Sequence, residues 1–199
     1  RRHSFPTRRS SDLFFLAYWL LRGRTRLLFT LAASYFFYAW WDWRLLPLLW
    51  FQTLLDFYVG RRLHQLTHAD SRQRLLVLSL VTNLALLAVF KYFHFGVDTG
   101  RALLHLAGIE TPPLAWQIVL PVGISFYTFQ SMSYVMDLYR REIEPEPSLL
   151  RFATSVALFV HLVAGPIVRA RKLLPQLESD RTFDFAIASD GFQQALWGF

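Results

Sequence analysis

The hydrophobic positions of this chain fall in long runs divided by short charged interruptions. Residues 13–21 are apolar but too few to cross about 30 Å of hydrocarbon, which takes roughly 20 residues of helix. "RGRTR" follows at 22–26. Residues 27–41 predict a second helix that closes in "YFFYAWWDW", an aromatic cluster of the kind that sits at a membrane interface. Residues 45–60 predict a third helix, 61–74 a basic loop, and 75–93 the clearest full span. A mixed connection is expected over 94–113, and another long apolar segment over 114–138.

Loop charge orients these spans. The loops at 22–26 and 61–74 each hold several Arg, whereas 42–44 and 96–113 are nearly balanced. Alternate crossing puts the two basic loops on one side, which the positive-inside rule makes cytoplasmic. The segment 114–138 then returns to that side at "YRREIEPEP".

The run at 152–164 is about 13 residues, too short to cross. Arg140, Arg141 and Arg151 precede it, and "FVHLVAGPIVRARKLLPQL" (159–177) carries Arg169, Arg171 and Lys172 after it. Basic flanks on both sides predict a segment that enters and leaves on the cytoplasmic face. Gly165-Pro166 supplies the reversal, because Gly permits unusual backbone angles and Pro cannot continue the hydrogen-bond ladder. Irregular backbone at membrane depth is tolerated where it is buried in protein or lines a watery cavity. The hairpin is therefore expected to help wall a cavity open to the cytoplasm; a short, tilted crossing helix is the plainer alternative. The fold class read from the pattern is all-α, a polytopic membrane helix bundle with broken and re-entrant helices.

Composition agrees. Hydrophobic residues make up 54% of the 199, with 17% aromatic and a mean hydropathy of +0.28, against about 45–50% apolar for a soluble domain. The absence of cysteine excludes disulfides, cysteine-based metal sites and thiol nucleophiles. The net charge of +7 changes once "HSFPTRRSSDL" (3–13) is considered, since it reads in frame as a translated sequencing adapter. Residues 1–13 are accordingly set apart as a non-native segment and 14–199 taken as the membrane domain. Setting them aside removes four Arg and one Asp, which lowers +7 to +4, and leaves no case for a nucleic-acid partner. "ALWGF" ends the chain inside an apolar stretch, so a piece of a longer protein is expected.

Candidate chemistry concentrates in "LPVGISFYTFQSMSYVMDLYR" (120–140). Pro121 and Gly123 should break or bend the helix near its start. Beyond them Tyr127, Gln130, Ser131, Tyr134 and Asp137 fall on one helical stripe. A polar stripe on an apolar membrane helix should face the bundle interior, either as the wall of a substrate channel or as interhelical hydrogen bonding alone. Asp56, with Gln52 one turn earlier, lies inside an apolar helix, where an ionisable group suggests function by default; an ion pair with nearby Arg61 or Arg62 is the competing reading. Asn83 reads as helix–helix glue. His161 has the right chemistry for a general base but no carboxylate or nucleophile at helical spacing, so a packed histidine is the bland reading. His64 and His68 are spaced for a metal but lie in a basic loop without carboxylates, so no metal site is assigned. Walker A, GxSxG, HExxH and dinucleotide motifs are all missing.

"SYFFYAWWDWR" (34–44), "LLDFYVGRRL" (54–63), "FKYFHF" (90–95), "LPVGISFYTFQSMSYVMDLYRRE" (120–142) and "LVAGPIVRARKLLPQL" (162–177) occur in the order seen in membrane-bound O-acyltransferases. The chain resembles that family from about Leu13 to Phe199, in its alginate O-acetyltransferase-like branch. The resemblance implies a multi-pass protein of the bacterial inner membrane that passes acyl groups from a cytoplasmic donor to an extracytoplasmic polysaccharide such as alginate. It further implies acetyl-CoA or another acyl thioester as donor, with no cofactor bound. The partners implied are the lipid bilayer and proteins of polysaccharide O-acetylation or export. The family's essential histidine lies in a later helix, so no catalytic residue is expected here, and the fragment alone should be inactive. The residues expected to line the channel are Tyr127, Gln130, Ser131, Tyr134, His161, Gly165, Pro166 and Arg169. A transporter or flippase, or a structural subunit of an export system, is the competing class; a transporter should show an internal repeat, and none is found.

Overall fold

The computed structural model describes residues 8–106, 108, 121, 123–162, 168–179 and 184–198, and for 8–13, 94, 161, 162, 195 and 198 the backbone alone. Every regular element among them is helical: α1 (Arg8–Leu20), α2 (Gly23–Asp42), a 3₁₀ turn (Trp43–Leu45), α3 (Leu46–Gln65), α4 (Ala69–Leu106), α5 (Ile124–Tyr139), α6 (Leu149–Ala157), α7 (Phe159–Leu162), α8 (Ala170–Glu178) and α9 (Phe185–Gly198). The backbone of α1 begins inside the segment read as non-native.

The helix boundaries have local causes. Asp42 caps the 3₁₀ turn, its Oδ1 accepting from the Arg44 N–H at 3.0 Å, and Pro47 occupies the first turn of α3, where its missing N–H has no cost. Gly123, in the left-handed region at φ +73°, marks the start of α5, as the Pro121 and Gly123 pair predicts. Ser148 caps α6, its Oγ accepting from Arg151 N–H at 3.3 Å.

Several boundaries differ from the sequence reading: α2 begins at Gly23 and α4 at Ala69, inside the two segments expected as basic loops. The connection expected at 94–113 is helix as far as Leu106, so α4 is 38 residues long, about 57 Å at 1.5 Å per residue. Gly96 and Gly100 both keep helical backbone. An isolated Gly costs a helix only about 1 kcal/mol relative to Ala, and the helix stops where Gly108 turns left-handed at φ +77°. Likewise α3 runs through Gly60 to Gln65. Gly60 is there for close approach: a Cβ on it would stand 2.6 Å from Leu138 Cδ1 and 2.9 Å from Tyr134 Cε1.

The bundle is apolar outside and partly polar inside. Along α4 Val77, Leu78, Val81, Leu84 and Val89 are exposed, while Ser79 and Asn83 are fully buried. On α3 Trp50, Phe51, Leu54 and Tyr58 are exposed, while Gln52, Thr53 and Asp56 are buried. Water would favour the reverse, whereas hydrocarbon favours this arrangement. The stretch Ala69–Phe93, with mean hydropathy 2.0, is long and apolar enough to cross a membrane. The exposed Trp40, Trp41, Trp43 and Tyr92 gather at one end, consistent with an interfacial belt.

The opposite end collects the basic segments. Arg72 Nη2 donates to the Tyr139 carbonyl at 2.7 Å and Nη1 to the Leu63 carbonyl at 3.3 Å. This joins the end of α3 and the start of α4 to the end of α5. His64 lies in the last turn of α3, not in a loop, and its Nδ1 is 3.3 Å from Glu144 Oε2; a carboxylate therefore stands beside it, contrary to the sequence reading, although both groups are exposed as on a solvated face. Arg151 Nη1 lies 2.8 Å from Glu178, and Arg171 Nη1 lies 3.6 Å from Glu142. The start of α6 and the whole of α8 therefore sit at the end where α5 finishes. At nine residues α6 reaches about 13 Å, less than half the hydrocarbon thickness. Six consecutive residues, Phe152 to Ala157, are buried, so protein surrounds it on all sides.

Candidate functional site

The polar stripe of α5 lies at the centre of this bundle. Tyr127 and Tyr134 are fully buried, Ser131 is 1% exposed, Asp137 4% and Gln130 7%. Helices α3, α4 and α6 all pack on α5. What the stripe does differs between its two edges. On the edge facing α6, Gln130 Nε2 donates to the Ser155 carbonyl at 2.9 Å, and Tyr134 OH accepts from the Glu146 N–H at 3.0 Å. These two residues tie helices together.

On the other edge a network crosses three helices. Ser79 Oγ donates to Asp56 Oδ1 at 2.7 Å, and Asn83 Nδ2 donates to both Asp56 oxygens at 2.9 and 3.1 Å. Gln52 Nε2 donates to Asn83 Oδ1 at 3.0 Å and to Thr128 Oγ1 at 3.1 Å. Gln52, Asp56, Ser79, Asn83 and Thr128 are all fully buried. Asp56 therefore has neutral hydrogen-bond donors as its partners, and the ion pair with Arg61 or Arg62 is not formed. Arg61 instead lies over the Phe57 ring, 5.6 Å from its centroid. The correction has a simple cause: Asp56 points across to α4, whereas the arginines sit at the basic end. Asn83 is the glue it was read as, and it also orders the carboxylate.

Ser79 and Thr128 were missed by the sequence reading. The available signal was spacing: Gln52/Asp56 and Ser79/Asn83 are each i,i+4 polar pairs on apolar helices, and Thr128 widens the stripe by one position.

Of the remaining channel candidates, Gly165 and Pro166 lie outside the described residues, as does the His161 side chain. The backbone at 161 belongs to α7. Arg169 is exposed at the start of α8, its carbonyl accepting from the Lys172 N–H at 2.9 Å; it is not brought to the α5 stripe. A separate cleft of about 500 Å³ opens at the basic end, lined by Tyr18, Arg24, Arg26, Arg151, Gln176 and Glu178 among others.

No family model matches the chain, and no solved structure matches it. Curated relatives do. The chain is 40% identical over 188 residues to the probable alginate O-acetylase AlgI of Azotobacter vinelandii, covering 94% of this chain and 37% of that protein. It is 38% identical over 188 residues to the protein of the same name from Pseudomonas putida, covering 94% and 38% respectively. A peptidoglycan O-acetyltransferase of Helicobacter pylori is 31% identical over 194 residues, covering 82% of this chain and 36% of that protein. The class to which the chain is homologous is thus that of polysaccharide O-acetyltransferases, in keeping with its resemblance to membrane-bound O-acyltransferases. Within that class the homology runs to the alginate O-acetylase branch, along 94% of the chain. The chain spans a little over a third of the length of these relatives.

Proposed function

We propose that the intact protein is a multi-pass O-acetyltransferase of the bacterial inner membrane. It takes an acetyl group from a cytoplasmic thioester, acetyl-CoA or a similar donor, and passes it to an extracytoplasmic polysaccharide such as alginate. The observation that carries the reading is the 40% identity along 94% of the chain to a probable alginate O-acetylase. Two structural features support it: the polar α5 stripe inside a lipid-facing bundle, and the gathering of basic loops at one end, which the positive-inside rule makes cytoplasmic.

The reaction moves one acyl group. An acceptor hydroxyl attacks the thioester carbonyl, the C–S bond breaks as the ester C–O bond forms, and the hydroxyl proton passes to the thiol. This proposal gives residues 14–199 the wall of the conduit and its cytoplasmic mouth, and assigns the proton transfer to a histidine outside them. Membrane lipid and proteins of polysaccharide O-acetylation or export are the partners it implies.

Complementation tests it. The intact gene, expressed in an alginate-producing host whose own acetylase is deleted, should restore O-acetyl groups on secreted alginate, measured by proton NMR. Unacetylated polymer in cells that carry the protein in their membrane would overturn the alginate reading. The Helicobacter relative favours a second acceptor, peptidoglycan, and acetylated muropeptides in the same cells would establish it.

A further inference from the structure

The cleft of about 500 Å³ at the basic end lies between α1, the start of α2, the start of α6 and the end of α8. Arg24 and Arg26 line it from the first turn of α2, and Leu27 from the turn that follows. Leu150 on α6 and Leu177 on α8 also line it. Leu28, one turn from Arg24 on the same face of α2, is 49% exposed among the outward apolar side chains. Along α2 the lining thus passes from guanidinium to leucine.

The arginines around it are not equivalent. Arg151 is matched by carboxylates, Glu146 Oε1 at 3.4 Å and Glu178 Oε1 at 2.8 Å. Arg26 is buried; its Nε donates to the Leu21 carbonyl at 2.8 Å, and its guanidinium lies over the Tyr18 ring, 5.1 Å from the centroid. Those contacts fix its charge at the cleft wall. Arg24, two residues earlier, is exposed and has no carboxylate partner among the described residues. The α2 side of the cleft therefore supplies two cations and no carboxylate.

We propose that this cleft binds the headgroup of an anionic phospholipid, with Arg24 on the phosphate and Arg26 adding its positive field from the wall. A guanidinium fork matches phosphate oxygens two at a time. Two observations select a lipid over a soluble phosphate. The cleft lies at the end that the positive-inside rule makes cytoplasmic, and anionic headgroups collect on that leaflet. The leucines beside the arginines give an acyl chain a path from Leu27 to the exposed Leu28, for which a soluble phosphate has no use. The inference rests on the membrane character of the bundle and stands whether or not the acetyltransferase reading holds.

Native mass spectrometry of the intact protein, delipidated in a neutral detergent, tests this with dioctanoyl phosphatidylglycerol and dioctanoyl phosphatidylcholine as probes. The unsubstituted protein should bind the phosphatidylglycerol at least about fivefold more tightly than the phosphatidylcholine. Equal affinity for the two would overturn the site without recourse to any variant. Arg24→Glu should abolish the preference. Arg62→Glu makes the same charge change at an exposed residue of the basic end that does not line the cleft, and should retain it. Equal loss in both variants would reduce the effect to the general charge of that end and overturn the site, as would full retention in Arg24→Glu. Inorganic pyrophosphate, which offers the phosphate chemistry without acyl chains, should fail to displace the bound lipid at equal concentration. Displacement would give the cleft to a soluble phosphate and overturn the lipid assignment.

Discussion

Asp56 shows how a single residue can be misread from its neighbours in sequence. Two arginines follow it within six positions, yet its carboxylate is held by Ser79 and Asn83 on another helix. Replacing it with Leu leaves the Ser79 hydroxyl buried without its acceptor and the Asn83 amide with the Ser79 carbonyl at 3.1 Å in place of the carboxylate, at a cost of about 1–3 kcal/mol for an unpaired buried group. Asp56→Leu should therefore lower the thermal midpoint of the intact protein in detergent clearly, and Asp56→Asn, which keeps an acceptor oxygen, much less. A midpoint for Asp56→Leu equal to wild type would show that the network contributes nothing. Gly60 offers a second test at this scale. The missing Cβ would stand 2.6 Å from a Leu138 methyl and 2.9 Å from the Tyr134 ring, so Gly60→Ala should destabilise by about 1–3 kcal/mol through overpacking. Gly96→Ala, where a Cβ meets nothing within 4 Å, should be neutral or mildly stabilising by the same assay.

At the scale of elements, α6 and α8 hold the most specific claim. Nine residues each, they are tied to one end of the bundle by Arg151–Glu178 at 2.8 Å and Arg171–Glu142 at 3.6 Å. Cysteines placed singly at Leu149 and Lys172 of the intact protein should both resist a membrane-impermeant thiol reagent added from the periplasm. Labelling of one and not the other would mean that the chain crosses between them. The ion pairs themselves contribute little, because Glu178 is two-thirds exposed and such pairs are worth about 0–1 kcal/mol. Arg171→Lys, in a pair exposed on both sides, should accordingly leave expression unchanged, whereas Phe152→Ala, which empties a fully buried position against Tyr134 and Phe57, should cost about 3–5 kcal/mol and reduce the protein recovered in membranes.

The whole molecule is organised by two ends and an inverted surface. The loop arginines gather at the end where Arg72 and Arg151 make their contacts, Trp40, Trp41 and Trp43 stand at the other, and apolar side chains face outward between them. This arrangement predicts that the isolated protein in water aggregates and that detergent or lipid is needed to keep it monodisperse. Size-exclusion chromatography with and without detergent checks this. A soluble monomer without detergent would contradict the inverted surface.

Much of this was legible in the residues. Hydrophobic runs fixed the helices, since only an internally hydrogen-bonded segment is stable in hydrocarbon. Loop arginines placed the two basic connections at one end. The spacing of Tyr127, Gln130, Ser131 and Tyr134 marked the buried face of α5, because one stripe of a helix can be read from period alone. What the sequence by itself left undecided was every pairing between helices. Whether Asp56 met Arg61 or Asn83, whether Gly60 sat against solvent or against Leu138, and which edge of the α5 stripe found partners all depend on rotation and contact between helices far apart in the chain. Those are set by packing of whole surfaces, for which a local pattern carries no coordinate, and only the tertiary structure decided them.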